Sequence, residues 1–285
     1  MKFAVIGAGA VGLLTACLLN EAGHDVQVIA RRQEQAEAIN GQGILKDKKV
    51  FYVPASVGLE TIPPEAYVII AVKFDAIESL LPVLQKHALD NPLVFLQNGM
   101  LHLQAVKKLP QANIAAGSVE HGALKINDRE IRHTGNGMYK LALLKGDPEM
   151  FLPLTNINGL SAEWHKDADQ LLFRKVLLNC LINPLTALTG LKNGGLLTNL
   201  HAYEMLTNLY TELYKAFPEI ETLLPFEQVT ALCASTAQNT SSMLADKLAG
   251  RKMELDTIIL YTLKRSPIEL PVLRTLYQLL KSSEV

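Results

Sequence analysis

The chain has 285 residues, of which 49% are hydrophobic and 19% are charged, and its formal net charge is -1. A chain of this length and polarity can bury a large core, and we expect a soluble protein with two domains. The near-zero charge gives no reason to expect a nucleic acid or a polyanionic surface as partner.

The cysteines and histidines are scattered along the chain. Cys17, Cys180 and Cys233 each stand in an apolar helical context, which predicts reduced core thiols in a cytoplasmic protein. The seven histidines lack the spacing of metal ligands, so we predict no metal. We expect no signal peptide at the amino end, because its glycines fall where a nucleotide-binding turn needs them. No apolar run is expected to reach the length of a membrane span.

A glycine-rich turn follows the first apolar run. Residues 2–6 predict a strand, residues 13–22 predict a helix, and G-x-G-x-x-G stands between them. In such a turn Gly7 permits the bend, Gly9 lets backbone approach a pyrophosphate, and Gly12 lets the helix lie close to the sheet. The alternative is a strand–helix turn without a ligand. The predicted dinucleotide-binding residues are Gly7, Ala8, Gly9, Ala10, Val11 and Gly12.

The end of the second predicted strand, residues 25–30, indicates which dinucleotide binds. An NAD site usually has an acidic residue there that bonds the ribose 2′-hydroxyl. Here Asp25 lies at the start of the strand, whereas Arg31 and Arg32 follow its end. Since a guanidinium can hold a 2′-phosphate through two hydrogen bonds, the sequence favours NADP(H) over NAD(H). An ordinary solvated loop is the alternative for both arginines.

The rest of the first half alternates strand and helix patterns, which predicts a parallel sheet with helices on both faces. The predicted strands are 50–53, 67–72 and 93–96, with a helix over 76–87. Later short runs predict an antiparallel extension of this sheet by strands 114–119, 130–133, 138–143 and 161–164.

Two strand ends in this half carry polar side chains. Lys73 could neutralise a phosphate or cap the adenosine end of a cofactor, and Asn98 could bond the nicotinamide end or a substrate oxygen. A plain turn explains Asn98 and Gly99 equally well.

The second half is almost wholly helical. We therefore predict a Rossmann-type α/β dinucleotide-binding domain over 1–166, followed by an all-α domain over 167–285. Ligand clefts favour domain interfaces and the carboxyl ends of parallel strands, so both criteria predict one groove. The predicted helices are 171–180, 202–217, 226–249, 256–263 and 272–281.

A polar row stands out in the first of these helices. Lys175, Asn179 and Asn183 are spaced four residues apart, so each is offset by about 40° and all three share one helix face. Their apolar neighbours mean that these polar groups need partners. A Lys there can bond a carbonyl and donate a proton to the forming alkoxide, and Pro184 should kink the helix. The alternative is a solvated stripe on a surface helix.

Two further patterns leave alternatives open. Residues 239–246 and 250–256 form a polar cluster that could be a helix cap followed by a charged helix entry. Leu206, Leu209 and Leu213 could form the helical face of a homodimer, but core packing explains them equally well.

Together these segments resemble the ketopantoate reductase (2-dehydropantoate 2-reductase) family over nearly the whole chain. The resemblance includes G-A-G-A-V-G at 7–12, Q-N-G-M at 97–100 and K-x-x-x-N-C-x-x-N-P-L-T-A-L at 175–188. It also includes Asn193-Gly194, N-T-S-S-M-x-x-D at 239–246 and R-x-x-E-L-D at 251–256. It implies NADPH-dependent reduction of 2-dehydropantoate to pantoate, a step toward pantothenate and coenzyme A.

The resemblance also implies roles for individual residues. Lys175 would be the proton donor, and Asn98 would sit between nicotinamide and substrate. Glu254 would position the cofactor, Ala123 would touch the nicotinamide through its backbone, and Arg31 and Lys73 would face the adenosine phosphate end. The substrate's hydroxyl and carboxylate would be bound by Asn179, Asn183, Asn193 and Ser242.

This chain departs from the family pattern at Glu120, where a small or hydroxylic residue is usual, and at residues 143–146. Two alternatives remain open. One is a reductase of the same fold that acts on another small branched 2-keto acid, since one methylene is a weak discriminator. The other is a non-catalytic NADP(H)-sensing protein, against which the Lys175 row argues.

Overall fold

The computed structural model describes residues 1–284, which fold into two compact units. The first unit comprises residues 1–97 and 102–171, and the second comprises 98–101 and the chain from 172 onward. The sequence prediction placed a single boundary between residues 166 and 167. The structure divides the chain later and assigns Asn98–Leu101 to the second unit, which no division of the sequence into two continuous pieces can express.

The first unit is built on an eight-stranded sheet and a separate four-stranded sheet. In chain order the strands are β1 (Lys2–Ile6), β2 (Asp25–Ile29), β3 (Ile44–Lys46), β4 (Lys49–Phe51), β5 (Ala55–Ser56), β6 (Tyr67–Ile70), β7 (Leu93–Phe95), β8 (Ile114–Val119), β9 (Gly122–Lys125), β10 (Glu130–Gly135), β11 (Tyr139–Lys145) and β12 (Ala162–His165).

The helices of both units alternate with these strands and then follow them. They are α1 (Ala10–Glu21), α2 (Gln33–Gln42), α3 (Ile77–His87), α4 (Leu103–Val106), α5 (Ala168–Thr189), α6 (Gly195–Thr198), α7 (Leu200–Ala216), α8 (Ile220–Leu223), α9 (Phe226–Ser235), α10 (Ser242–Leu248), α11 (Tyr261–Arg265) and α12 (Pro271–Ser282).

The large sheet confirms the predicted α/β class. Its strand order is β12-β11-β8-β7-β6-β1-β2-β5, with parallel pairing from β8 to β5. Strand β11 pairs antiparallel with β8, and β12 runs parallel to β11, which confirms the antiparallel extension for these two strands. The same expectation for residues 114–119 was wrong, because β8 pairs in parallel with β7. The central strand β1 is buried on both faces, as its continuous apolar run predicts.

The four-stranded sheet was not predicted, and its order is β4-β3-β10-β9. The expectation that residues 50–53 and 130–133 belong to the main sheet was therefore wrong. Strand β10 buries only Ile131 fully, so it suits a small sheet with one wet face rather than a parallel sheet covered on both faces. Helix α2 was also missed, because its mostly polar sequence lacks an apolar stripe.

The second unit is helical, as predicted, but several of its helices differ from those predicted, and the short helices α6 and α8 were missed. The helix expected over 226–249 is two helices, α9 and α10, because Ser241 caps a new helix by accepting a hydrogen bond from Leu244 N at 3.2 Å. Helix α5 is a single helix of 22 residues that extends beyond the predicted 171–180 at both ends and contains Pro184. A π-helical segment, Asp256–Leu260, leads into α11.

Helix α5 corrects the expectation about membrane spans. By length and composition it is apolar enough to cross a membrane, yet 83% of its apolar window is buried inside the protein. Such burial is typical of the core helix of a soluble protein. The helix also carries the polar row, whose side chains would be costly in lipid.

Burial also shows which apolar side chains belong to the core. The side chains of Leu206, Leu209 and Leu213 are fully buried within the chain, so core packing explains them and they offer no dimer face. All three cysteines are fully buried and unpaired, which confirms the prediction of core thiols.

Candidate active site

The glycine turn lies between β1 and α1, and its three glycines meet different surroundings. Gly7 has a φ of 108°, and a Cβ there would come within 2.9 Å of the backbone N of Val72, so this position requires glycine. A Cβ on Gly12 would overlap the carbonyl oxygen of Gly7. These two glycines therefore serve the close packing of strand, turn and helix.

Gly9 differs because nothing lies within 4 Å of the position that its Cβ would take. It precedes α1, whose first intrahelical hydrogen bond runs from Leu13 N to Gly9 O at 2.9 Å. The backbone N–H groups of the first helical turn therefore have no acceptor within the helix. Open space beside a helix N-terminus fits a diphosphate, so the residues present fit a dinucleotide.

The carbonyl of Ala8 is held by two side chains from other elements. Gln35 Nε2, on α2, donates to Ala8 O at 2.9 Å and to Asp128 O at 2.7 Å. Lys125 Nζ, at the end of β9, donates to the same Ala8 O at 3.2 Å. The glycine turn is thus fixed from two sides. These contacts join residues far apart in the chain, so no local sequence pattern predicts them.

The two arginines after β2 differ in whether their side chains form ion pairs. Arg32 Nη2 lies 2.6 Å from Asp128 Oδ1, and this hydrogen bond is the main reason that the pKa of the Asp128 carboxyl is lowered. Arg31 is exposed and makes no hydrogen bond or ion pair with any residue from 1 to 284. Of the two guanidinium groups, Arg31 is therefore the one available to an anion.

The sheet topology brings three predicted cofactor elements to one edge. Strand β1 pairs in parallel with both β2 and β6, so the carboxyl ends of the three strands are neighbours. The glycine turn follows β1, Arg31 follows β2, and Lys73 follows β6 and precedes a short 3-10 helix. Ala123 lies instead in β9 of the small sheet, opposite His133.

The predicted polar row lies on α5 in the second unit. Asn179 and Asn183 are 9% and 5% exposed, and Lys175 is half-buried. A solvated surface stripe is excluded for the two asparagines by this burial. The adjacent Cys180 takes no part as a nucleophile, since burial raises the pKa of its thiol to about 12.

Two buried amides in this unit have an unused polar atom. Asn193 Nδ2 donates to Thr236 Oγ1 at 2.9 Å, while Asn193 Oδ1 has no hydrogen-bond partner within the described chain. Asn183 Nδ2 is likewise buried without a partner among residues 1–284. Buried polar groups are nearly always paired, so the Asn183 donor and the Asn193 acceptor are each suited to a polar ligand.

A hydroxyl pair ties α5 to α10. The Oγ atoms of Thr186 and Ser241 lie 2.7 Å apart, and both residues are buried. Thr186 Oγ1 also lies 3.0 Å from the carbonyl oxygen of Asn183, and Ser241 caps α10. The contact thus links Asn183 to the start of α10, where Ser242 is exposed. Sequence reasoning named the polar cluster that holds Ser241 but missed this role.

The segment Asn98–Leu101 packs within the second unit. Asn98 Nδ2 donates to Glu254 Oε2 at 3.0 Å. Gly99 has a φ of 80°, and a Cβ there would come within 2.6 Å of Thr257 Cβ. The π-helical segment begins two residues after Glu254, and such segments are frequent at functional sites. Two predicted residues that are distant in sequence are therefore in direct contact.

Comparisons with known proteins agree over the whole chain. The ketopantoate reductase PanE/ApbA family profile matches residues 3–146, and the profile of its C-terminal part matches residues 167–284. The 2-dehydropantoate 2-reductase of Bacillus subtilis is 35% identical over 94% of this chain and 92% of its own length. That of Listeria monocytogenes is 33% identical over 100% of this chain and 97% of its own length.

Solved structures show the same fold. The probable 2-dehydropantoate 2-reductase panE of Bacillus subtilis superposes with a TM-score of 0.85 at 33% identity, covering 100% of both chains. A D-mandelate dehydrogenase with NADH and anilino(oxo)acetate gives a TM-score of 0.86 at 22% identity, over 100% of this chain and 98% of the other. The second likeness concerns the fold alone.

Proposed function

This chain belongs to the ketopantoate reductase family, a family of oxidoreductases, and from that premise we propose that it reduces 2-dehydropantoate to pantoate with NADPH. The reaction is a step toward pantothenate and coenzyme A. The observation that carries the proposal is the polar row on α5, in which Lys175 shares a helix face with the buried amides of Asn179 and Asn183. We place the enzyme in the cytoplasm, where its three unpaired thiols stay reduced.

The first unit supplies the cofactor site in this proposal. The open space beside Gly9 and the first turn of α1 take the diphosphate, and Arg31 takes the 2′-phosphate. Lys73 faces the adenosine end, and Ala123 contacts the nicotinamide through its backbone. The fold itself does not set the choice of cofactor, because the neighbouring D-mandelate dehydrogenase holds NADH. The preference for NADPH rests on Arg31.

The second unit supplies the substrate site and the acid. Bound NADPH supplies the hydride that reaches C2 of the keto acid. The Lys175 ammonium bonds the keto oxygen and donates its proton to that oxygen as the alkoxide forms. This keeps charge from accumulating on the oxygen, so proton donation and oxyanion stabilisation come from one group.

The amides hold the rest of the substrate. The unused Nδ2 of Asn183 donates to an oxygen of the hydroxyl or carboxylate, and the unused Oδ1 of Asn193 accepts from the hydroxyl. Asn179 and Ser242 complete the contacts to these groups. Asn98, which donates a hydrogen bond to Glu254, would contact the nicotinamide and the substrate in this proposal. Neutral amides bind without adding charge beside Lys175.

The test is NADPH oxidation by the purified chain with ketopantoate, 2-ketoisovalerate and 2-ketoisocaproate, followed by identification of pantoate as the product. We expect kcat/KM to be highest for ketopantoate. 2-Ketoisovalerate lacks the hydroxyl that a buried amide would bond, which should cost on the order of 10²-fold. A higher value for another keto acid would assign the enzyme to that substrate. No oxidation with any of them would favour the non-catalytic alternative.

A further inference from the structure

Strand β9 ends with a cation at the glycine turn. Lys125 is its last residue, and its Nζ donates to Ala8 O at 3.2 Å. The side chain is 30% exposed, so it is not enclosed in the core. Ala8 directly precedes Gly9, beside which nothing lies within 4 Å of the Cβ position. A positive charge therefore stands at the edge of the open space that a diphosphate would fill.

The surrounding groups do not balance this charge. Asp128 Oδ1 lies 3.4 Å from Lys125 Nζ but 2.6 Å from Arg32 Nη2, so one carboxylate is shared by two cations. The other acceptor, the carbonyl of Ala8, is neutral and already receives a hydrogen bond from Gln35. One positive charge thus remains in excess beside the turn, in addition to that of Arg31.

We propose that Lys125 binds the diphosphate of the dinucleotide, an assignment that rests on the proposed binding of NADPH at the glycine turn. An ammonium group has three N–H donors. One is directed to Ala8 O and one to Asp128, which leaves the third for a phosphate oxygen. Lys125 is then a cofactor-binding residue, and the contact to Ala8 O fixes its position relative to the turn.

The alternative role is purely structural. In that role Lys125 only stabilises the glycine turn through its hydrogen bond to Ala8 O. Three substitutions separate the two roles. Lys125→Arg keeps the charge, Lys125→Gln removes the charge but keeps a donor for Ala8 O, and Lys125→Met removes both. Arg31→Ala is the matched control, because it should weaken the binding of NADPH, which carries the 2′-phosphate, and not that of NADH.

The experiment measures Kd for NADPH and for NADH by titration of cofactor fluorescence, at two ionic strengths. We expect Lys125→Gln to weaken both nucleotides about tenfold, since it removes one charge-assisted hydrogen bond to a group that both contain. Lys125→Arg should stay near wild type. The salt dependence of Kd should be shallower in Lys125→Gln than in wild type, because a screened charge pair has been lost.

Several results would overturn the assignment. Unchanged Kd values in Lys125→Gln, or a loss confined to NADPH, would remove Lys125 from the diphosphate. A loss seen only in Lys125→Met, with unchanged salt dependence, would establish the structural role. These results leave the proposed function intact if the wild-type chain binds NADPH. If the wild type binds neither nucleotide, both proposals fall.

Discussion

Asn98, three residues after the end of strand β7, donates through its side chain to Glu254 Oε2 at 3.0 Å, and both residues belong to the helical unit. If Glu254 acts by orienting Asn98, the two substitutions Asn98→Ala and Glu254→Ala should not be additive. We expect a coupling energy of about 0.5–3 kcal/mol in a double-mutant cycle on kcat/KM for the keto acid.

Glu254→Gln gives the control for this pair, because it keeps an oxygen that can accept from Asn98 and removes only the charge. Near wild-type kcat/KM in that variant would assign Glu254 to positioning. Additive effects in the cycle would show that the two residues act independently.

Gly9 and Gly12 form a matched pair for the cofactor site. Gly9→Ala adds a methyl group into open space, so we expect normal thermal stability with NADPH affinity reduced tenfold or more, on the order of one lost phosphate contact. Gly12→Ala forces overlap with Gly7 O and should destabilise the fold by about 3 kcal/mol. Thermal melts and NADPH titration of both variants check this. Normal NADPH binding by Gly9→Ala would place the cofactor elsewhere.

Arg31 and Arg32 separate cofactor choice from local structure. Arg31→Ala should weaken NADPH by about 10- to 100-fold and leave NADH nearly unchanged, because only NADPH carries the 2′-phosphate. Arg32→Ala breaks a surface ion pair with Asp128 and should change the ratio of NADPH affinity to NADH affinity little. Kd values for both nucleotides measure the difference. Equal losses for NADPH and NADH in Arg31→Ala would contradict the 2′-phosphate assignment.

The hydroxyl pair of Thr186 and Ser241 should act on the substrate rather than on the cofactor. Thr186→Val keeps the shape but removes the 2.7 Å contact that links Asn183 to α10. We expect a several-fold rise in KM for the keto acid, a stability loss of about 1 kcal/mol and an unchanged Kd for NADPH. Thr186→Ser keeps the hydroxyl and should restore KM. A stability loss without any change in KM would limit the pair to a structural role.

What the sequence revealed was mostly local. The glycine turn could be predicted because its G-x-G-x-x-G spacing lies between an adjoining strand and helix, although the close contact of Gly7 with Val72 is a long-range one. The row from Lys175 to Asn183 follows from helical spacing within one element. The buried apolar runs of the parallel strands likewise show in a few consecutive residues.

Most of the features that could not be predicted from the sequence depend on contacts between residues distant in the chain. Strand β3 pairs with β10, which lies much later in the sequence of the first unit. Neither short run carries a pattern that specifies the other as its partner. The contacts of Lys125 and Gln35 with Ala8 arise from the same long-range arrangement. The break between α9 and α10 was missed because the apolar pattern continues on both sides while Ser241 caps the second helix.

The proposed reaction is tested most sharply by Lys175→Ala, assayed for kcat with ketopantoate and NADPH beside direct titration of NADPH. Because Lys175 is proposed as the proton donor and not as a cofactor ligand, kcat should fall by about 10²- to 10⁴-fold while the Kd for NADPH stays nearly unchanged. A fall in kcat of less than about tenfold would show that Lys175 is not the acid.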